Sequence, residues 1–141
     1  MQHNVIEFTV YGEPVAQARP RATTINGRVK MYDPKKSSEY KNYIRLVASQ
    51  HAPKELLDGP LQLDVKIYKP TLKSFSKKKK EMAEQGVLRP TTKPDVDNYV
   101  KAIKDALKNV IWKDDSQVVD LKASKYYSEK PRVEIKIEQI G

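Results

Sequence analysis

Residues 6–10, 61–67 and 133–137 each alternate apolar and polar side chains with period two, and this alternation is what most restricts the fold of the chain. Successive side chains of a strand point to opposite faces, so each segment is expected to be a half-buried strand with one face on a core. Residues 117–127 are expected to form a fourth. Between them, Asp33-Pro34 predicts a helix start as cap and first residue, with Tyr40, Tyr43, Ile44 and Val47 as its apolar stripe, ending before Pro53. A short, very polar helix is expected over 76–85. A third runs from Asp97 to Asn109, with Val96, Val100, Ile103, Leu107 and Val110 facing the core. The predicted order is β-α-β-α-α-β-β. This is an α/β (α+β) single domain, residues 1–141, with helices packed on one face of a small mixed four-stranded sheet. The polar tetrapeptide Ser128-Glu129-Lys130-Pro131 predicts an antiparallel hairpin of the last two strands.

A chain of 141 residues can bury a core without covalent staples, and it has no cysteine to make them. Thiolate metal sites and thiol nucleophiles are thereby excluded. No apolar run approaches a membrane span and the first residues lack a signal-peptide pattern, so the expectation is a cytoplasmic protein with no membrane partner. A formal charge of +9 favours nucleic acid over acidic proteins or lipid, although charge alone does not separate them.

Within this basic chain, Asp95, Asp97 and Lys101 are followed about one helix later by Asp114 and Asp115. Acids on a surface that gathers polyanions repel the ligand unless a cation intervenes. Carboxylates are hard donors suited to Mg²⁺, which takes one or two of them together with phosphate oxygens and water. The pattern therefore suggests a metal-dependent phosphodiester enzyme. The competing reading is structural, since Pro94-Asp95-Val96-Asp97 also suits a helix start with acids in its first turn. Lys101 falls on the same helix face as Asp97, opposite the apolar stripe. A helix from Asp97 to Asn109 rises roughly 18 Å, and six extended residues return roughly 20 Å. Asp115 can close on the first pair only if the helix stops near Asn109 and Ile111-Trp112 runs back along its flank.

The string Lys93-Pro94-Asp95-Val96-Asp97-Asn98-x-x-Lys101, followed by Asp105-Ala106-Leu107 and Trp112-x-Asp114-Asp115-x-Gln117-Val118-Val119, resembles the RusA family of Holliday junction resolvases, particularly its phage and prophage members. The resemblance is specific from Lys93 to about Leu121 and looser elsewhere. It implies a Mg²⁺-dependent homodimeric endonuclease that cuts paired strands of a four-way DNA junction in recombination and repair. It also implies metal-binding, catalytic roles for Asp95, Asp97 and Asp115, and a catalytic lysine at Lys101. Asp114 is either an orienting neighbour or a turn residue, and Asn98 holds the helix start or a ligand water. A non-catalytic basic nucleic-acid-binding module is the alternative, and a nuclease or phosphoesterase for ordinary duplex or small phosphoesters is a third reading.

Two basic stretches are candidate DNA contacts. Residues 15–36, with Arg19 and Arg21 and continuing through Arg28 and Lys30, read as a long polar connection that either touches the DNA backbone or is simply solvated. Lys77, Lys78, Lys79 and Lys80, with Arg89 and Lys93, lead into the acidic motif, where a phosphate-binding role competes with that of a solvated helix face. His3 and His51 lack metal-ligand spacing and read as exposed side chains. Trp112 reads as core packing that positions Asp114 and Asp115, and Tyr126 and Tyr127 as strand residues.

Overall fold

The computed structural model describes residues 4–141. The reading of His3 and of the first residues therefore lies outside the described residues. The elements are β1 (Val5–Tyr11), β2 (Arg21–Ile25), β3 (Arg28–Tyr32), α1 (Lys35–Ser49), β4 (Leu61–Pro70), α2 (Lys77–Glu84), α3 (Val96–Leu107), a 3-10 turn (Asp115–Gln117), β5 (Val118–Ser128) and β6 (Arg132–Gln139). The expected mixed α+β architecture holds, with a four-stranded sheet in the order β1-β6-β4-β5.

The period-two segments set the register of the core. Ile6, Phe8 and Val10 of β1 lie opposite Ile137, Ile135 and Val133 of β6, which in turn lie opposite Leu63, Val65 and Ile67 of β4. These rows, apart from half-buried Ile6, are buried beneath Tyr40, Ile44 and Ala48 of α1 and Tyr99, Ile103, Ala106 and Leu107 of α3. The other sheet face carries Glu7, Thr9, Asp64, Lys66, Glu134 and Lys136, the polar half of the same alternation.

Three expectations are corrected. The last two strands do not form a hairpin: β5 pairs with β4 in parallel, and β6 lies on the other side of β4, antiparallel to both β4 and β1. The short polar segment instead steps across the end of β4, a distance of about 10 Å at ordinary strand spacing, which a few extended residues span. Ser128 fixes this step, its Oγ accepting from Lys130 N–H at 3.0 Å and from Arg132 Nη1 at 3.1 Å, while its carbonyl accepts from Thr71 N–H at 3.3 Å. The parallel β4–β5 pair follows from the helical crossover of α2 and α3 between them.

The second correction lies in residues 15–36. This is not one long connection, because β2 and β3 pair as an antiparallel ribbon of their own. The turn is Asn26-Gly27, both residues at positive φ (52° and 75°), the conformation that a two-residue hairpin loop requires.

Asp33 does not cap α1. Pro34 takes the N-cap position without a side-chain cap, and the Asp33 carboxylate pairs instead with Lys41 Nζ at 2.9 Å. Lys41, almost fully buried, also meets Asp105 of α3 at 2.8 Å and so clamps the two helices together. Burial alone would depress its pKa, but the hydrogen bonds to Asp105 and Asp33 outweigh this and hold the ammonium above its ordinary value.

Candidate active site

The site is built on α3 and the turn that follows it. Asp95 occupies the N-cap position (φ −68°, ψ 151°), yet its side chain makes no capping hydrogen bond. An aspartate placed there ordinarily accepts from an N–H two or three residues on. The carboxylate is exposed and uncommitted to the helix, while the Asp95 carbonyl accepts from Asn98 N–H at 3.1 Å. Asp97 sits in the first turn, and Lys101 Nζ lies 3.9 Å from its Oδ2, the two side chains being 64% and 67% exposed for lysine and aspartate. An exposed i,i+4 pair of this kind contributes about 0.3–0.5 kcal/mol, so its partners remain free to engage a ligand.

The helix ends at Leu107, two residues before the expected Asn109. Asn109 adopts the left-handed conformation (φ 66°) and donates from its N–H to Trp112 O, while Leu57 N–H donates to Ile111 O at 2.8 Å. The chain thus reverses in a tight turn that buries Ile111 and Trp112 completely. From this anchor Trp112 Nε1 donates to Asp115 Oδ1 at 2.8 Å, linking the core to the surface carboxylate.

Asp114 has a different task. Its carboxylate accepts from Ser116 N–H at 3.0 Å, and Gln117 Oε1 accepts from Asp114 N–H at 2.9 Å, a reciprocal capping box. The Ser116 backbone and then its hydroxyl hold the Asp114 carboxyl below the usual carboxylate range. Gln117 Nε2 donates to the carbonyls of Leu57 (2.9 Å) and Gly59 (3.2 Å), riveting the turn to the segment before β4.

The structure brings Asp115, Lys101, Lys104, Asp105 and Gln17 around one cavity of about 390 Å³. Asp115 therefore meets α3 one to two turns beyond Asp97 rather than at the helix start. Among the described residues no group of three or more His, Cys, Asp or Glu is arranged to hold a metal ion. In kind, however, the donors suit a hard divalent cation: Asp95 and Asp97 are solvated carboxylates, and Asp115 has one oxygen engaged by Trp112 and the other not.

Arg19 and Arg21 line a cleft of about 690 Å³ with Lys36, Lys69, Pro94 and Asn98, which places them beside the start of α3. Lys77, Lys78 and Lys79 are exposed on α2, with Lys80 half-buried, and none lines that cleft. Arg89 is exposed but stacks on Tyr126, its Cζ 4.3 Å from the ring centroid, and donates from Nε to Lys125 O at 2.9 Å. The Lys93 side chain is exposed, whereas its carbonyl accepts from Lys69 Nζ at 3.2 Å. His51 is exposed and stacked on Phe8.

Besides Lys104 in the cavity wall, Lys125 and Lys69 lie near the site and were not singled out by sequence reasoning. Lys125 Nζ donates to the carbonyls of Thr92 (2.9 Å) and Pro94 (3.0 Å), the segment that delivers Asp95. Lys69 holds the intervening carbonyl. Its pKa is lowered, first by burial and then by the neighbouring Lys125 charge, against an opposing pull from Glu13. The signal was strand parity: Lys69 continues the inward series 61, 63, 65, 67 of β4, and Lys125 pairs with Ile67.

Among the described residues, no helix is long and apolar enough to cross a membrane. A family model described as endodeoxyribonuclease RusA matches residues 11–138. An uncharacterised Bacillus subtilis (strain 168) protein, YqaN, is 64% identical over 138 residues, covering 96% of this chain and 97% of its own. A Lactococcus phage r1t protein described as crossover junction endodeoxyribonuclease rusA is 29% identical over 137 residues, covering 95% of this chain and 96% of its own. With the family model spanning nearly the whole chain, including all of α3 and the turn bearing Asp115, the protein belongs to the RusA endodeoxyribonuclease family.

Proposed function

We propose that the protein is a Mg²⁺-dependent, structure-selective endodeoxyribonuclease that resolves four-way DNA junctions by paired strand cuts, acting as a homodimer. Family membership and the phage relative's description support junction cleavage. The observation that carries the reading to this chain is the meeting of Lys101, paired with Asp97, and Asp115 around one cavity, with Arg19 and Arg21 in the neighbouring cleft. Two-fold symmetry suits a junction on which two strands are cut.

Asp95, Asp97 and Asp115 would hold the cation, which when bound supplies Lewis-acid polarisation of the phosphoryl group and a more acidic water. The chain's own residues supply the rest. Lys101 would stabilise negative charge developing on the phosphate or its leaving oxygen. Trp112 fixes the direction of Asp115, while Lys125 and Lys69 hold the carbonyls on which Asp95 is mounted. Arg19 and Arg21 would neutralise phosphates flanking the scissile one, and further neutralisation is assigned to Lys77, Lys78, Lys79, Lys80, Arg89 and Lys93.

One observation favours the rival, a non-catalytic DNA-binding module: no three carboxylates converge among the described residues. A single experiment decides between them. A labelled four-way junction and its component duplexes are incubated with the protein, with Mg²⁺ and with chelator, beside Asp95→Asn, Asp97→Asn and Asp115→Asn. Metal-dependent cleavage of the junction alone is expected, lost in each variant while junction binding persists or tightens. Binding with no cleavage under any condition establishes the rival, and near-normal turnover in any variant overturns the ligand assignment.

A further inference from the structure

The β2–β3 ribbon is the part of the molecule least explained by its own fold. All ten of its strand residues are exposed. Its register places Arg21 opposite Tyr32, Thr23 opposite Lys30 and Ile25 opposite Arg28 on one face, and Ala22 opposite Met31 and Thr24 opposite Val29 on the other. One face is thus cationic and the other apolar. Residues 14–32 contain Arg19, Arg21, Arg28 and Lys30 and no acid. Nothing on the ribbon neutralises its charge internally.

Its position gives the charge a direction. The chain leading into the ribbon is pinned to α3 by Gln17 N–H donating to Asn98 O at 2.9 Å. Arg19, Pro20 and Arg21 then form the wall of the cleft beside Pro94 and Asn98. The ribbon therefore springs from the rim of the candidate site. Five residues of strand extend about 17 Å, the length of roughly five base pairs at 3.4 Å each. A two-stranded ribbon is also an element that the major groove admits.

We propose that the β2–β3 ribbon is a DNA-binding arm whose cationic face, Arg21, Arg28 and Lys30, lies along a duplex arm of the junction beyond the scissile phosphate. This rests on the proposed function, in which DNA is the ligand, and adds where the duplex lies. Arg28 and Lys30 neutralise phosphates that the site itself does not reach, so the arm contributes affinity and sets which part of the duplex is occupied. The competing occupant is a second copy of the chain, seated on the apolar face through Val29 and Met31.

The test compares the wild-type protein with Arg28→Gln/Lys30→Gln and, separately, Val29→Ser/Met31→Ser, each verified as folded by circular dichroism. Binding to a fluorescent four-way junction is measured by anisotropy without divalent metal across a salt series, and oligomeric state by sedimentation. The charge variant is expected to weaken binding at least fivefold and to lower the slope of log affinity against log salt by about 1.8, near 0.9 for each phosphate no longer neutralised. Junctions with arms trimmed to a few base pairs should remove the difference between it and wild type. An unchanged slope overturns the proposal. So does a Val29→Ser/Met31→Ser protein that dissociates and loses junction affinity together, because the ribbon's occupant is then a second copy. Because binding is read without cleavage, a protein that bound through the ribbon but cut nothing would refute the proposed activity and leave the arm intact. One that cut junctions with an undiminished slope would do the reverse.

Discussion

Replacing Trp112 with Phe tests whether the candidate site is mechanically tied to the core. Trp112 is the chain's single tryptophan, is wholly buried, and donates from Nε1 to Asp115 Oδ1 at 2.8 Å. Phenylalanine keeps one aromatic ring and loses the other together with the donor. Complete truncation of a buried tryptophan costs about 3–5 kcal/mol. Losing only the five-membered ring corresponds to roughly half of that, about 2 kcal/mol. A hydrogen bond to a charged acceptor adds about 1.5 kcal/mol, toward the lower end because Asp115 is half-solvated. The expected destabilisation is about 3–4 kcal/mol, or a fall in Tm on the order of 10 °C for a chain of this size.

Stability alone does not isolate the hydrogen bond, so the decisive measurement is a double-mutant cycle of Trp112→Phe with Asp115→Ala in urea unfolding followed by circular dichroism. The two side chains touch, so their effects should be non-additive by about 1–2 kcal/mol. The same loss should raise the divalent cation concentration needed for half-maximal junction cleavage by roughly tenfold or more, the usual cost of losing a partner that orients a ligand. A coupling energy below about 0.3 kcal/mol, within the additivity expected of independent sites, would refute the reasoning and return Trp112 to packing alone.

Lys101→Ala should leave folding and junction affinity nearly unchanged while slowing single-turnover cleavage roughly a hundredfold, the scale of one lost preorganised donor. Lys101→Arg should recover only part of this, and a loss of only two- or threefold would leave Lys101 as an ordinary partner of Asp97. Lys125→Met removes both donors to the Thr92 and Pro94 carbonyls, at about 1–2 kcal/mol since water replaces them in part. Cleavage should then need more cation, and a titration midpoint equal to wild type would show that Lys125 does not set the position of Asp95. Burial pushes Tyr40 well above its ordinary value of 10.0 and raises Tyr68 and Tyr99, while the carboxylates of Asp105 and Asp33, against the opposing effect of burial, raise Lys41 above 10.5. Groups raised in the folded state contribute stability that is present below their ordinary values and lost as pH climbs through the folded ones. Lys69 is lowered and acts in the opposite sense, but it stands alone against four. Tm should therefore fall as pH rises past about 10, and a flat or rising Tm from about pH 9 to 11 would contradict it.

The strands bearing the core were legible because each is buried on one face, which period-two alternation encodes directly. Pairing order was not. Nothing in the alternation of β5 and β6 says whether a short polar segment turns back or steps over a neighbour, and here Ser128 and Arg132 build the step from side-chain hydrogen bonds. The β2–β3 ribbon has no buried face, so hydrophobic pattern could not reveal it. Its local signal was Asn26-Gly27, the turn dipeptide that two positive φ angles demand. For the candidate site, the sequence singled out Asp95, Asp97, Lys101 and Asp115, and it placed the helix end at Asn109, two residues beyond the last helical residue, Leu107. It did not reveal that Asp115 would lie against the middle of α3, because a tight turn and a fully extended return are equally compatible with six residues.

The same limit governs charge. A count of 27 Lys and Arg suggests a uniformly basic surface, yet Lys41 is spent on Asp33 and Asp105, Lys125 and Lys69 on backbone carbonyls, and Arg132 on Glu134 and the Tyr68 ring. None of these is a free cation for a phosphate at no cost, since each would first have to abandon a partner. Arg21, Arg28 and Lys30 stand on a ribbon that carries no acid of its own. Charge within the body is committed to internal partners, with Lys69 and Lys125 holding the backbone that leads to Asp95, and the charge on the ribbon is the part that the proposed arm leaves for DNA. In the proposed function, the cations at the ribbon base, which line a cleft with Pro94 and Asn98, would draw a phosphate backbone toward acids that otherwise repel it.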